Sequence, residues 1–201
     1  KKIAFVVDRG DHSFVGFLEM GKTNVNWLDP TFAKDFNPRW SPDGTQIAFN
    51  RTPAEGGSTD SLTQRKRIPW SIRKVGLTAG EKSSLVWEAP NTYRGSIPTT
   101  HGGTNMHWAR KDRLVFTSYQ DGWPHAYSVA PEGGPALLLS PGNFMVEHLS
   151  VSADGNSIYF DANTGSDATD IDRRHICQVS VDKADMKVLT PGTGIEWTAI
   201  S

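Results

Sequence analysis

The side chains of this 201-residue chain that could do chemistry are six histidines, a cluster of aspartates and several cationic runs. None of His12, His101, His107, His125, His148 and His175 forms an H-x-x-x-H or H-E-x-x-H pair, so no zinc site is spelled by local spacing. Asp167, Asp170 and Asp172 lack the spacing of a calcium loop and its distal bidentate Glu, and they read as a solvated acidic loop beside Arg173 and Arg174. A nucleophilic serine would need the strained turn of a G-x-S-x-G elbow, and the chain has none. Ser157 follows Gly155-Asn156 but lacks the second glycine and falls in a hairpin, which supplies no oxyanion donors. No catalytic residue, no metal and no cofactor is expected of these patterns.

Binding residues are a better match. Tyr93, Arg94 and His101 lie in a long connection over residues 90–103, beside Gly102-Gly103, where a loop could line a cavity. Arg173 and Arg174 could grip a carbonyl or carboxylate in the two-pronged manner of a guanidinium. Arg65-Lys66-Arg67 stands in another insertion and is either a solvated loop or a contact for an acidic partner or a missing domain.

The elements that must position these residues follow from a degenerate repeat. Trp40-Ser41-Pro42-Asp43-Gly44-Thr45-Gln46-Ile47-Ala48-Phe49 returns as Val151-Ser152-Ala153-Asp154-Gly155-Asn156-Ser157-Ile158-Tyr159-Phe160 and, one residue shorter and without glycine, as residues 108–116. Each copy is a hairpin. Gly44 and Gly155 tolerate positive φ, and Asp43 and Asp154 can bond the backbone two residues on. The marker aromatics Phe5, Phe49, Phe116 and Phe160 are 44, 67 and 44 residues apart, so two intervals agree and one carries an insertion. A period near 44 suits propeller blades of about 40–45 residues, and the alternating runs exclude helical repeats of similar length.

Third strands are expected near residues 15–20, 70–77, 125–129 and 175–179, and fourth strands near 24–28, 84–87, 136–139 and 187–189. Pro30, Pro90, Pro141 and Pro191 then end each unit. The fold class is therefore all-β, a β-propeller of about four four-stranded blades. Their approximate limits are 1–35 (with 193–201), 36–102, 103–145 and 146–192, in one domain or fragment over 1–201.

Nineteen glycines, twelve prolines and 37% apolar residues fit a turn-rich β protein. A net charge of −1 predicts no general attraction to nucleic acid, and no apolar run is long enough for membrane insertion as a helix. Cys177, alone of its kind, excludes an intrachain disulfide and reads as a packed core thiol.

Two further runs carry a family resemblance. Phe116-Thr117-Ser118-Tyr119-Gln120-Asp121-Gly122-Trp123-Pro124-His125-Ala126-Tyr127 resembles a run of dipeptidyl peptidase IV amino-terminal propellers in the prolyl oligopeptidase family. Asp170-Ile171-Asp172-Arg173-Arg174-His175-Ile176 resembles a run of bacterial members. The Trp-Ser-Pro-Asp-Gly copies are shared more widely, including by TolB-like periplasmic propellers. Ala126 and Cys177 replace the family's usual Leu and Trp, both at packing positions.

The resemblance implies a propeller that covers an active site and admits short peptides, with catalysis on a separate α/β-hydrolase domain. The family's paired glutamates for a substrate amino terminus have no counterpart, since no Glu-Glu dipeptide occurs. The chain itself is thus expected to be no enzyme. Its partners would be a peptide substrate held with a missing hydrolase domain or, as the alternative, a protein partner of a TolB-like module. The implied location is periplasmic or secreted, with no signal peptide visible in the chain.

The ends suggest a cut hairpin. Lys1-Lys2-Ile3-Ala4-Phe5 reads as a second strand without its first, and Trp197 aligns with Trp40. Two outcomes are expected: residues 193–201 complete the first blade, closing a ring or pairing with a second chain as a homodimer, or the propeller is partial and leaves unpaired strand edges at both ends.

Overall fold

The computed structural model describes residues 1–54, 67–98, 103–164 and 172–192. Its regular elements are fifteen β-strands, which fall into four successive groups among the described residues. The first group is β1 (Lys2–Asp8), β2 (Ser13–Glu19) and β3 (Val25–Trp27). The second is β4 (Ala33–Trp40), β5 (Gln46–Pro53), β6 (Ser71–Gly76) and β7 (Ser84–Glu88). The third is β8 (His107–Ala109), β9 (Arg113–Ser118), β10 (His125–Val129) and β11 (Leu137–Leu138). The fourth is β12 (Val146–Val151), β13 (Ser157–Ala162), β14 (His175–Ser180) and β15 (Lys187–Val188).

Within each group the strands pair antiparallel in chain order. The third and fourth groups are separate four-stranded sheets, whereas one parallel pair, Ser13 with Lys34, ties β2 to β4 and merges the first two groups into a seven-stranded sheet. The chain divides into two compact units, Lys1–Ser96 and Ile97–Ser201.

The hairpin turns are built by the residues that the repeat spells. In the second group the Ser41 hydroxyl donates to Asp43 Oδ1 (2.6 Å), which also accepts from the Thr45 backbone N–H (3.0 Å), and Gly44 turns at φ +70°. The fourth group repeats this with Ser152, Asp154, Asn156 and Gly155 at 2.6 Å, 3.0 Å and φ +72°. The third group, lacking glycine, turns instead on Lys111 (φ 58°) and Asp112 (φ 49°), two side-chain-bearing residues in the left-handed region.

Alternation along the strands supplies each unit with a core. In the first unit Val15, Phe17 and Leu28 of the first group pack against Ile47, Phe49 and Val75 of the second, so the two halves of the merged sheet lie face to face despite their single bridge. The opposite face of the first group is apolar as well: Phe5, Phe14 and Trp27 make edge-on ring contacts at 6.0 Å. Trp27 lies over Gly16, where a Cβ would come within 3.1 Å of its ring. That face remains open, with Trp27 and Ile3 both exposed.

In the second unit Ala109, Val115, Ala126 and Leu139 pack against Phe144, Val146, Leu149, Ile158, Phe160, Cys177 and Val179. Phe49, Phe116 and Phe160 are fully buried. Burial pushes the Cys177 thiol up to about 12, which makes it an inert core group. No helix among the described residues is long and apolar enough to cross a membrane.

Candidate functional site

One backbone irregularity recurs in the second, third and fourth groups and sets up the site. Three residues before Trp40, Trp108 and Val151 stand Asn37, Asn105 and His148, all with positive φ (55°, 45° and 40°). In β4 and β12 the pairing register shifts at this point, between Phe36 and Arg39 and between Glu147 and Ser150, as at a β-bulge. Asn adopts the left-handed region more readily than most residues because its short amide can bond locally. The bulge also admits Pro38 into a strand, since it interrupts the ladder there.

Each of these residues reaches the position following the marker aromatic on the next strand. Asn37 Nδ2 donates to Asn50 Oδ1 at 3.1 Å, and Asn105 Nδ2 lies 3.5 Å from Thr117 Oγ1. His148 Nδ1 lies 3.2 Å from Asp161 Oδ2. The scaffold is common to the three groups, but the chemistry is not: two pairs are neutral and the fourth group's pair is ionisable.

In the fourth group a further carboxylate joins them. Glu147 stands directly across from Asp161 in the β12–β13 register, and both are nearly or wholly buried, at 4% and 0% exposure. Like charges directly opposite each other destabilise a strand pair, so this arrangement needs compensation. Arg174 supplies part of it, with Nε donating to Glu147 Oε2 (2.8 Å) and Nη2 to Oε1 (3.3 Å), while Nη1 donates to the Asp172 carbonyl (3.1 Å). The Glu147 carboxylate in turn holds the Arg174 guanidinium above its ordinary pKa, against the effect of burial. Ligand atoms of Glu147, His148 and Asp161 all lie within 4.8 Å of one another. Two carboxylates, an imidazole and a guanidinium in one buried corner can hold a cation or fix a polar group.

The residues singled out from sequence are placed as follows. Tyr93 is exposed, with the Arg67 guanidinium 5.4 Å from its ring centroid, so the end of the basic run meets the candidate loop. Arg94 is exposed in the same turn. His101, Arg65, Lys66, Asp167 and Asp170 lie outside the described residues. Arg173 is half-buried just before β14, beside Arg174. Of these candidates Arg174 is the one whose bonds to the acidic corner are described, through Glu147. Glu147, His148 and Asp161 were missed because they meet across a bulge rather than at a helical or loop spacing. Their signal was positional: His148 stands where Asn37 and Asn105 stand, and Asp161 follows the marker Phe160.

The sheets and turns define an all-β, propeller-type protein. Residues 71–201 match the family described as the dipeptidyl peptidase IV (DPP IV) N-terminal region. The chain belongs to that family, and both runs that carry the resemblance lie within the matched residues. Three solved structures share its fold. TolB from Acinetobacter baumannii is 18% identical with a TM-score of 0.57, over 98% of this chain and 42% of that one. A puromycin hydrolase is 15% identical with a TM-score of 0.61, over 93% and 27%. The oligogalacturonate lyase from Vibrio parahaemolyticus is 10% identical with a TM-score of 0.62, over 92% and 50%. The chain therefore spans half or less of these proteins. No curated protein matches it in sequence.

Proposed function

We propose that the chain is a non-catalytic propeller segment of a dipeptidyl peptidase IV-like serine peptidase, which gates and positions peptides for an α/β-hydrolase domain. The observation that carries this reading is the family match over residues 71–201 in a sequence with no nucleophile elbow. The four strand groups are then four blade-equivalents, with limits near 35, 102 and 145, while the expected completion of the first blade by residues 193–201 lies outside the described residues. The open apolar face of the first group supports another blade packing there, from a longer parent chain or a second copy. Tyr93, Arg94, His101, Arg173 and Arg174 are the residues through which such a segment would contact peptide or partner, in a periplasmic or secreted protein.

The TolB likeness favours a second reading, a periplasmic module that binds a protein partner and has no hydrolase domain. Hydrolysis of a Xaa-Pro chromogenic substrate separates the two. The full-length protein should turn it over with sensitivity to a serine-directed inhibitor, while the 201-residue chain alone should not. A full-length protein without G-x-S-x-G and without turnover would leave the TolB-like reading.

A further inference from the structure

The bulge of the fourth group carries a property that no peptide-gating role requires. The same positive-φ position is satisfied by an Asn–Asn pair at the bulge of the second group and by an Asn–Thr pair in the third, so the fold itself needs only a hydrogen bond at this point. In the fourth group that bond is replaced by imidazole and carboxylate, and a second buried carboxylate is added at the neighbouring position. Burying two carboxylates opposite each other is costly unless positive charge lies between or beside them.

We propose that Glu147, His148 and Asp161 form a binding site for a first-row divalent cation of the zinc or manganese type. An imidazole with two carboxylates is a donor set for such ions, whereas calcium would want six to eight oxygen ligands and no nitrogen. The His148–Asp161 separation of 3.2 Å places both donor atoms around one small position, and Glu147 offers an oxygen within 4.8 Å of both. Arg174 is the positioning residue. Its two bonds fix the orientation of the Glu147 carboxylate. His148 is the most accessible of the three donors, at 38% side-chain exposure, and leaves the site a path to solvent.

The test is calorimetric titration of the chelator-treated chain with zinc chloride, repeated with cobalt(II) to read ligand-field absorption. The expected result is one ion per chain and a rise in Tm. Replacing His148→Asn together with Asp161→Asn rebuilds the amide pair of the second group, so this variant should keep its fold by circular dichroism yet lose at least about tenfold in affinity. His148→Asn alone, which leaves every buried carboxylate in place, should show the same loss if the double variant fails to fold. His12→Ala, which removes an accessible histidine beside Asp11, should bind as the parent does. Absence of stoichiometric binding, or zinc affinity unchanged in the folded His148→Asn variants, would overturn the site.

Discussion

The second and fourth strand groups share a bulge, an Asp-Gly turn and a buried marker phenylalanine, yet they handle charge in opposite ways. In the second group Asp35 faces Arg51 directly in the β4–β5 register, and the guanidinium grips both carboxylate oxygens at 2.6 and 2.9 Å. Arg51 also reaches Asp29, whose carboxylate receives the Ser83 hydroxyl and Lys82. Opposite charges thus sit across from each other within one hairpin. In the fourth group the facing pair is Glu147 and Asp161, and the guanidinium comes from Arg174, just before the third strand. Asp35 and Arg51 stand one register position before the Phe36–Asn50 pair at the bulge, whereas Glu147 and Asp161 stand at the bulge itself. A repeat therefore constrains where polar residues stand and leaves their chemistry free to diverge.

The largest effect expected from this contrast is on Arg51. Its side chain is 13% exposed and Asp35 is fully buried, so Arg51→Ala leaves a carboxylate that must stay charged without its partner or take up a proton. The loss should be about 3–5 kcal/mol in urea unfolding. Arg174→Ala removes hydrogen bonds to one carboxylate at a more exposed site, and should cost about 1.5–3 kcal/mol. Equal losses would break the distinction between a hairpin that neutralises itself and one that borrows its counter-ion.

The turns extend the comparison to the third group. Where the second and fourth groups place glycine at positive φ, the third uses Lys111 and Asp112. A side chain in the left-handed region costs roughly 1–2 kcal/mol, and glycine gives back part of that gain through backbone entropy. Asp112→Gly should therefore stabilise by about 0.5–1 kcal/mol, read as a shift of the urea midpoint at constant m. Lys111 is the less clean target because its ammonium bonds both oxygens of Asp182 at 3.0 Å.

These contrasts also show what the sequence could reveal. The strands were legible because apolar residues alternate over short runs, and the turns because Asp-Gly has a stereochemical meaning. The third and fourth strands of each group fall within a residue or two of where alternation put them. The bulge was not legible: Asn37-Pro38 and His148-Leu149 look like interruptions of a strand, and a two-against-one register appears only when the partner strand is in place. The acidic corner was hidden for the same reason, since its carboxylates are fourteen positions apart and meet through that register. The runs at 116–127 and 170–176 carried the family, and the second of them contributes Arg174 to the acidic corner.

The smallest expected effect lies in the acid titration of the turns. Asp154 is fully exposed, but the Ser152 hydroxyl and the Asn156 backbone and side-chain N–H groups bond its charged form and hold its pKa down to about 2, against an ordinary 3.8. Asp43 is lowered by the same contacts, from Ser41 and Thr45. A carboxyl with a depressed folded-state pKa contributes stability above its unfolded pKa and loses it as pH falls through the folded value. The turns of the second and fourth groups should therefore weaken as pH falls from about 4 to 2. Asp35 runs the other way, because burial pushes its carboxyl up in spite of Arg51, so its contribution is present at low pH and lost as pH rises through its folded-state value. Carboxyl-carbon NMR titration should place Asp154 near 2 and Asp35 above the ordinary range. Asp154→Asn should flatten the acid limb of the melting curve while leaving the Asp35 midpoint in place. A single shared midpoint for the turn and hairpin carboxylates would mean that their surroundings do not differ as the hydrogen bonds require.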